Sequence, residues 1–312
     1  MQMANKKLFH APVLAPEILA HLITENTRVF FDGTLGLGGH ASFLLENAPQ
    51  LETYVGTDLD QQHLDFATER LSPWVLKLQL HKSNFSALAD LIPFAQNKTV
   101  SILLDLGLCS NQVDDATKGF SFKNDGPLHM AFDNTTSDNA EKIINEATRD
   151  ELTKIFRDYG EEPRAWAISG NIIKAREHQS LRTTAELSKI IEDSVDYKDQ
   201  KKAQTRVFQA LRIAVNDEFG HLEKALQGAL DNMQPADRLG IITYHSLEDR
   251  IVKKFFKKHA QPITKETDLS LHTVIAPAAW KLHNKKPITP TGAEVEENPR
   301  ARSAKLRIVE KC

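Results

Sequence analysis

Asp32-Gly33-Thr34-Leu35-Gly36-Leu37-Gly38-Gly39-His40 lies between a short apolar run, Arg28–Asp32 (RVFFD), and a helical stretch, His40–Ala48. Glycines at such a junction allow a tight turn and let a ligand approach the backbone at the open end of a parallel sheet. Asp58 closes the next strand signal, Tyr54–Asp58 (YVGTD), about 20 residues on, where a carboxylate can accept hydrogen bonds from ribose hydroxyls. Asp105 falls near the end of a later strand signal, Val100–Leu106 (VSILLDL), and points to the same crevice. Two cofactors use this arrangement, nicotinamide dinucleotides and S-adenosylmethionine. The spacing is G-x-G-G and not the G-x-G-x-x-G of the dinucleotide fingerprint, which weighs against the first. A glycine turn with no ligand accounts for the glycines alone, but less well for two acids at strand ends.

The elements that must position these residues alternate between strand and helix. Asp60 is placed to cap a helix whose apolar face includes Leu64, Ala67 and Leu71. Leu76, Leu78 and Leu80 alternate with polar residues, as in a half-buried strand, and the run at Val100 suits a strand covered on both faces. Strands separated by helices predict an α/β fold with a parallel, doubly wound sheet. The stretch 114–138 has no sustained period and reads as a long ordered loop of the functional kind. From Thr148 to Val195 the signals are helical without interruption, and Thr183 with Glu186 has capping-box spacing. An amphipathic run, Thr205–Met233, leads to a strand at Arg238–Tyr244 and a helix, SLEDRIVKKFFKKH, that Ser246 is expected to cap. The segment AKLRIVEK reads as an edge strand. The expected division is a discontinuous catalytic domain, 1–110 and 205–312, with 111–204 inserted for substrate recognition.

Composition narrows the class. The 312 residues are 41% hydrophobic and 26% charged, as in packed globular proteins. Cys109 and Cys312 make neither a disulfide framework nor a metal-binding quartet; no metal is expected, and a reducing cytoplasm is. No apolar run approaches the roughly 20 residues that span a bilayer. His10, Pro12, Pro16 and Glu17 argue against a signal peptide. The net charge of −3 hides an asymmetry, since Arg250–Cys312 holds 14 Lys and Arg against 6 Asp and Glu. A basic end on an acidic body is a candidate polyanion surface, although a solvated surface explains it too.

Taken together, DGTLGLGGH, GTDLDQQHLDFA, ILLDLGLCSNQVDD, GFSFKNDGPL, TRVFQALRIAVN, YHSLEDRIVK and ENPRARSAKLR closely resemble the bacterial ribosomal RNA small subunit methyltransferase H family, in the family's order from His10 to Arg307. The resemblance implies a Rossmann-like class I methyltransferase domain with an inserted helical domain. It implies an S-adenosyl-L-methionine-dependent enzyme that methylates N4 of a cytidine in the decoding region of 16S rRNA, within the 30S subunit, with a homodimer left open. Carried over residue by residue, the cofactor contacts are Gly38, Gly39 and His40, with Asp58 on the ribose, Phe85 against the adenine, and Asp105 and Gln112 completing the set. Asp105 is also the candidate acceptor for the target amine, since no Asn/Asp-Pro-Pro-aromatic tetrapeptide is present. Arg300, Arg302, Lys305 and Arg307, with the helix 246–259, are the candidate RNA contacts. Phe120, Phe122 and Phe132 either stack on an unstacked base or anchor their loop. His129 and Ala131 stand where the family usually has an acid and a base, removing an ion pair or an RNA contact, and Cys109 replaces a small residue. Two other classes stay open: a nicotinamide-dependent dehydrogenase, and an RNA-binding assembly protein that keeps the fold without the chemistry.

Overall fold

The computed structural model describes residues 12–94, 97–133, 136–266 and 272–312; His10 lies outside them. Helix α1 (Ala15–Leu22) precedes β1 (Thr27–Asp32), and α2 (Gly39–Asn47) leads to β2 (Thr53–Asp58). Then follow α3 (Gln61–Arg70), β3 (Leu78–Lys82), α4 (Leu88–Leu91) and β4 (Thr99–Asp105). Asp60 caps α3 as expected, its carboxylate accepting the Gln62 amide at 3.0 Å, and Leu64, Ala67 and Leu71 are buried. The third strand starts later than its alternation predicts. Pro73 opens a 3₁₀ stretch, Ser72–Lys77, that leaves Leu76 99% exposed.

An all-helical stretch follows: α5 (Ser110–Asp114), α6 (Ala140–Glu146), α7 (Arg149–Asp158), α8 (Ala165–His178), α9 (Thr184–Asp193) and α10 (Gln200–Val215). Reciprocal capping boxes start α7 (Thr148 with Glu151) and α9 (Thr183 with Glu186), satisfying amides that a helix start leaves without partners. Phe156, Ile168, Ile172, Leu187, Ile191, Val207 and Leu211 share one core. The preceding loop is tightly crossed. A Cβ on Gly119 or Gly126 would collide with the carbonyl oxygens of Pro127 and Ala116. Asn216 closes the loop from the far side, accepting from the Phe132 amide and donating to the Met130 carbonyl, each at 2.8 Å.

The chain continues through α11 (Glu218–Asn232), β5 (Arg238–Thr243), α12 (Ser246–His259), the hairpin β6 (Ile263–Glu266) and β7 (His272–Ala276), β8 (Trp280–Leu282), α13 (Gly292–Glu297) and β9 (Lys305–Lys311). The amphipathic run Thr205–Met233 is thus two helices, broken where Asp217 adopts a left-handed φ of 43°. The main sheet has seven strands in the order β3-β2-β1-β4-β5-β9-β8. Its first five strands are parallel, and β9 runs antiparallel to both β5 and β8. The expected edge strand is therefore internal, since β8 covers its outer side. This is the expected doubly wound α/β sheet, with parallel strands covered on both faces.

The chain forms two compact units, Met1–Gly107 with Gly220–Cys312, and Leu108–Phe219. The helical unit ends beyond the expected residue 204 because α10 places Val207, Phe208 and Leu211 in the helical core. Among the described residues no helix is long and apolar enough to cross a membrane.

Candidate active site

The glycine loop is fixed to the C-terminal ends of the parallel strands by its own backbone. Gly33 N–H donates to the Leu103 carbonyl at 2.9 Å, Leu35 N–H to the Thr57 carbonyl at 3.0 Å, and Gly36 N–H to Asp58 Oδ2 at 2.9 Å. Asp58 Oδ1 accepts from the Asp60 amide at 2.8 Å and faces His63 Nδ1 at 3.3 Å. Asp32 is buried beneath the loop, where it accepts from Tyr54 O–H at 2.9 Å and Thr34 N–H at 3.1 Å. Burial pushes its carboxyl above the usual range.

The glycines themselves test whether a ligand belongs here. Gly33 is demanded by the fold, since a Cβ would sit 2.4 Å from Leu104 and 2.7 Å from Phe85. Gly38 is demanded by its left-handed φ of 73° at the start of α2. Gly39 is demanded by neither. Its φ is ordinary and the nearest atom a Cβ would meet, on Pro12, is 3.6 Å away. A bare backbone that the protein does not need is what close approach of a nucleoside cofactor requires. The neighbouring acceptor suits it, because Asp58 Oδ2 accepts from the Gly36 amide and each carboxylate oxygen can accept two hydrogen bonds.

Asp105 completes the crevice. Its amide donates to Thr34 Oγ1 at 2.8 Å, Tyr244 O–H donates to its Oδ1 at 2.8 Å, and Oδ2 lies 3.9 Å from His40 Nδ1. His40 Nε2 lies 2.8 Å from the Val13 carbonyl. A carbonyl only accepts, so Nε2 carries the proton and Nδ1 is turned to the carboxylate. Burial pushes the Asp105 carboxyl up to about 6, against the opposing effects of His40 and the Tyr244 hydrogen bond. A carboxylate with one oxygen held and a pKa near neutrality can accept a hydrogen bond and a proton from an amine.

The model of the MraW methylase family matches residues 7–312. The chain belongs to this family. Its relatives include proteins named ribosomal RNA small subunit methyltransferase H. The one from Chlorobium chlorochromatii (strain CaD3) is 39% identical over 99% of this chain and 98% of its own. That of Symbiobacterium thermophilum is 38% identical over 97% and 96%, and that of Carboxydothermus hydrogenoformans 39% over 97% of each chain.

In this MraW methylase, Gly38, Gly39, His40, Asp58 and Asp105 lie at the strand ends of one unit, with Phe85 packed beside Gly33. Gln112 lies in the helical unit, buried, its Oε1 accepting from the Cys109 amide at 3.1 Å. Tyr244 was missed, because a tyrosine between a strand and a helix start carries no signal of its own.

Two expectations need correction, and one open choice is resolved. Arg307 is 11% exposed at its side chain and bound through Nε and Nη2 to Asp249 at 2.7 and 3.2 Å, with Lys305 Nζ at 3.7 Å from the same carboxylate. These cations answer an internal charge, whereas Arg300 and Arg302 are exposed. The cap of α12 is His245 and not Ser246: His245 Nδ1 accepts from the Glu248 amide at 3.5 Å and Glu248 Oε2 from the His245 amide at 3.3 Å, a reciprocal box. The loop phenylalanines anchor their loop: Phe120 is buried against Phe132 at 5.6 Å, and Phe122 packs edge-on to Phe208 at 5.3 Å.

Ala131 is 1% exposed, so it does not present a missing RNA contact. Ala131→Arg is expected to lower stability by about 3 kcal/mol or more, from overpacking and an unpaired buried charge. Thermal unfolding checks this; a variant as stable as wild type with tighter RNA binding would contradict it.

Proposed function

We propose that this chain transfers a methyl group from S-adenosyl-L-methionine to N4 of a cytidine in the decoding region of 16S rRNA, acting on the 30S subunit in the cytoplasm. The observation that carries the chemistry is the Asp105 carboxylate, held on one side by Tyr244 and placed beside a glycine loop that is more open than the fold requires. The substrate follows from full-length similarity to the named rRNA methyltransferases.

The residues that would hold the cofactor are the backbone at Gly38, Gly39 and His40, with Asp58 taking the ribose hydroxyls and Phe85 lying against the adenine. Bound there, S-adenosylmethionine supplies a methyl group activated by a sulfonium. The exocyclic amine of cytosine is a weak nucleophile because its lone pair is shared with the ring, so orientation is the main requirement. Asp105 Oδ2 accepts a hydrogen bond from that amine, raising electron density on nitrogen, and then takes the proton released from it. His40 Nδ1 is the next station for that proton. The helical unit is assigned to substrate recognition. The departures at His129 and Ala131 lie in that unit, while Asp32, Asp58 and Asp105 are all in place, so nothing favours a protein without the chemistry.

Methylation at cytosine C5 would need a cysteine nucleophile, and N4 transfer needs none. Cys109→Ser is expected to retain most turnover, with N4-methylcytidine as the product on nucleoside chromatography. A covalent RNA adduct lost with the thiol would overturn the assignment.

A further inference from the structure

Helix α12 joins the candidate active site to a stripe of exposed positive charge. Tyr244 and His245 immediately precede its first residue, so the helix begins beside the group that holds Asp105. Its inner face is apolar. Val252 and Phe256 are buried, and Phe255 and Phe256 pack on Trp280 with ring centroids 5.7 and 5.5 Å away. Its outer face carries Ser246, Arg250, Lys253, Lys254, Lys257 and Lys258, all exposed and recurring at each turn of the helix.

The four lysines make no ion pair among the described residues. The nearby acid, Asp249, one turn before Lys253, is occupied by Arg307 and Lys305. Stability of the helix does not explain the arrangement. Lys257 and Lys258 suit a helix C-terminus, but Lys253 and Lys254 lie a turn earlier and repel them at i, i+4 spacing. From Ser246 to Lys258 the stripe extends about 18 Å, enough to follow several successive phosphates. The remainder of the chain favours this approach, because residues 1–249 hold 36 Asp and Glu against 25 Lys and Arg.

We infer that the outer face of α12 carries the phosphodiester backbone of the RNA beside the methylated nucleotide, through Lys253, Lys254, Lys257 and Lys258. The inference rests on the RNA substrate proposed above and replaces Lys305 and Arg307 as the phosphate contacts.

The test compares a fourfold Lys→Gln variant with a fourfold Lys→Arg variant at these positions, binding a transcript of the 16S decoding-region stem across a salt series. Each lost phosphate contact lowers the slope of log affinity against log salt by about 0.7 to 0.9. The Gln variant is expected to lose about 2.8 to 3.6 from the slope and to raise the RNA KM about tenfold or more. S-adenosylmethionine affinity should be unchanged, and the Arg variant should behave as wild type. An unchanged slope in the Gln variant, or a comparable loss on changing Arg300 and Arg302 to Ala instead, would overturn the inference. Wild-type protein without salt-dependent RNA binding would overturn the RNA substrate itself.

Discussion

Asp105→Asn is expected to lower methyl transfer about a hundred- to ten-thousandfold, the range for loss of a positioned proton acceptor. Asparagine keeps an oxygen for Tyr244 O–H but cannot take a proton from the amine. The wild-type rate should rise with pH through about 6, as the carboxyl that burial pushes to about 6 loses its proton. Tyr244→Phe removes a donor that favours the carboxylate, so the acidic limb should move to higher pH. The same substitution of Asp105 should stabilise the fold. Burial raises the folded carboxyl above its unfolded value of 3.8, so the folded state binds the proton more tightly, and stability falls as pH rises from about 4 through about 6. Replacing the acid by a neutral amide recovers up to about 3 kcal/mol near pH 7. A less active protein with a higher Tm near pH 7 is the joint signature. An active Asp105→Asn enzyme would remove Asp105 from the chemistry.

Asp58→Ala is expected to weaken S-adenosylmethionine binding by about 1.5 to 3 kcal/mol, roughly ten- to a hundredfold. Two losses combine: the charged acceptor for ribose hydroxyls, and the bond from Gly36 N–H that ties the glycine loop to β2. Asp58→Asn keeps one acceptor oxygen without the charge and should fall between the two. Calorimetry measures both, and unchanged affinity in the alanine variant would sink the assignment.

What the sequence disclosed was local. Apolar runs marked β1, β2, β4 and β5, and the caps at Asp60 and Thr183 were legible because a cap is a matter of a few adjacent residues. Asp58 and Asp105 were legible because strand ends in such a sheet meet at one crevice. The errors came from partners distant in the chain. Arg307 and Asp249 are 58 residues apart, and Tyr244 and Asp105 are 139 apart. The internal position of β9 depends on β8, a three-residue strand with no pattern to read. The break at Asp217 interrupts an amphipathic period that the residues themselves continue. Asn216, which closes the loop over Met130 and Phe132, is an ordinary helix-end asparagine until the fold brings that loop to it.

The central claim is that the methyl group arrives on N4 of a cytidine in 16S rRNA. Mass analysis of nucleosides from 16S rRNA, taken from cells with and without this protein, tests it most directly. N4-methylated cytidine in the decoding region should be present with the protein and lost without it. Identical nucleoside profiles in the two samples, or loss of a methyl group from cytosine C5 instead, would contradict it.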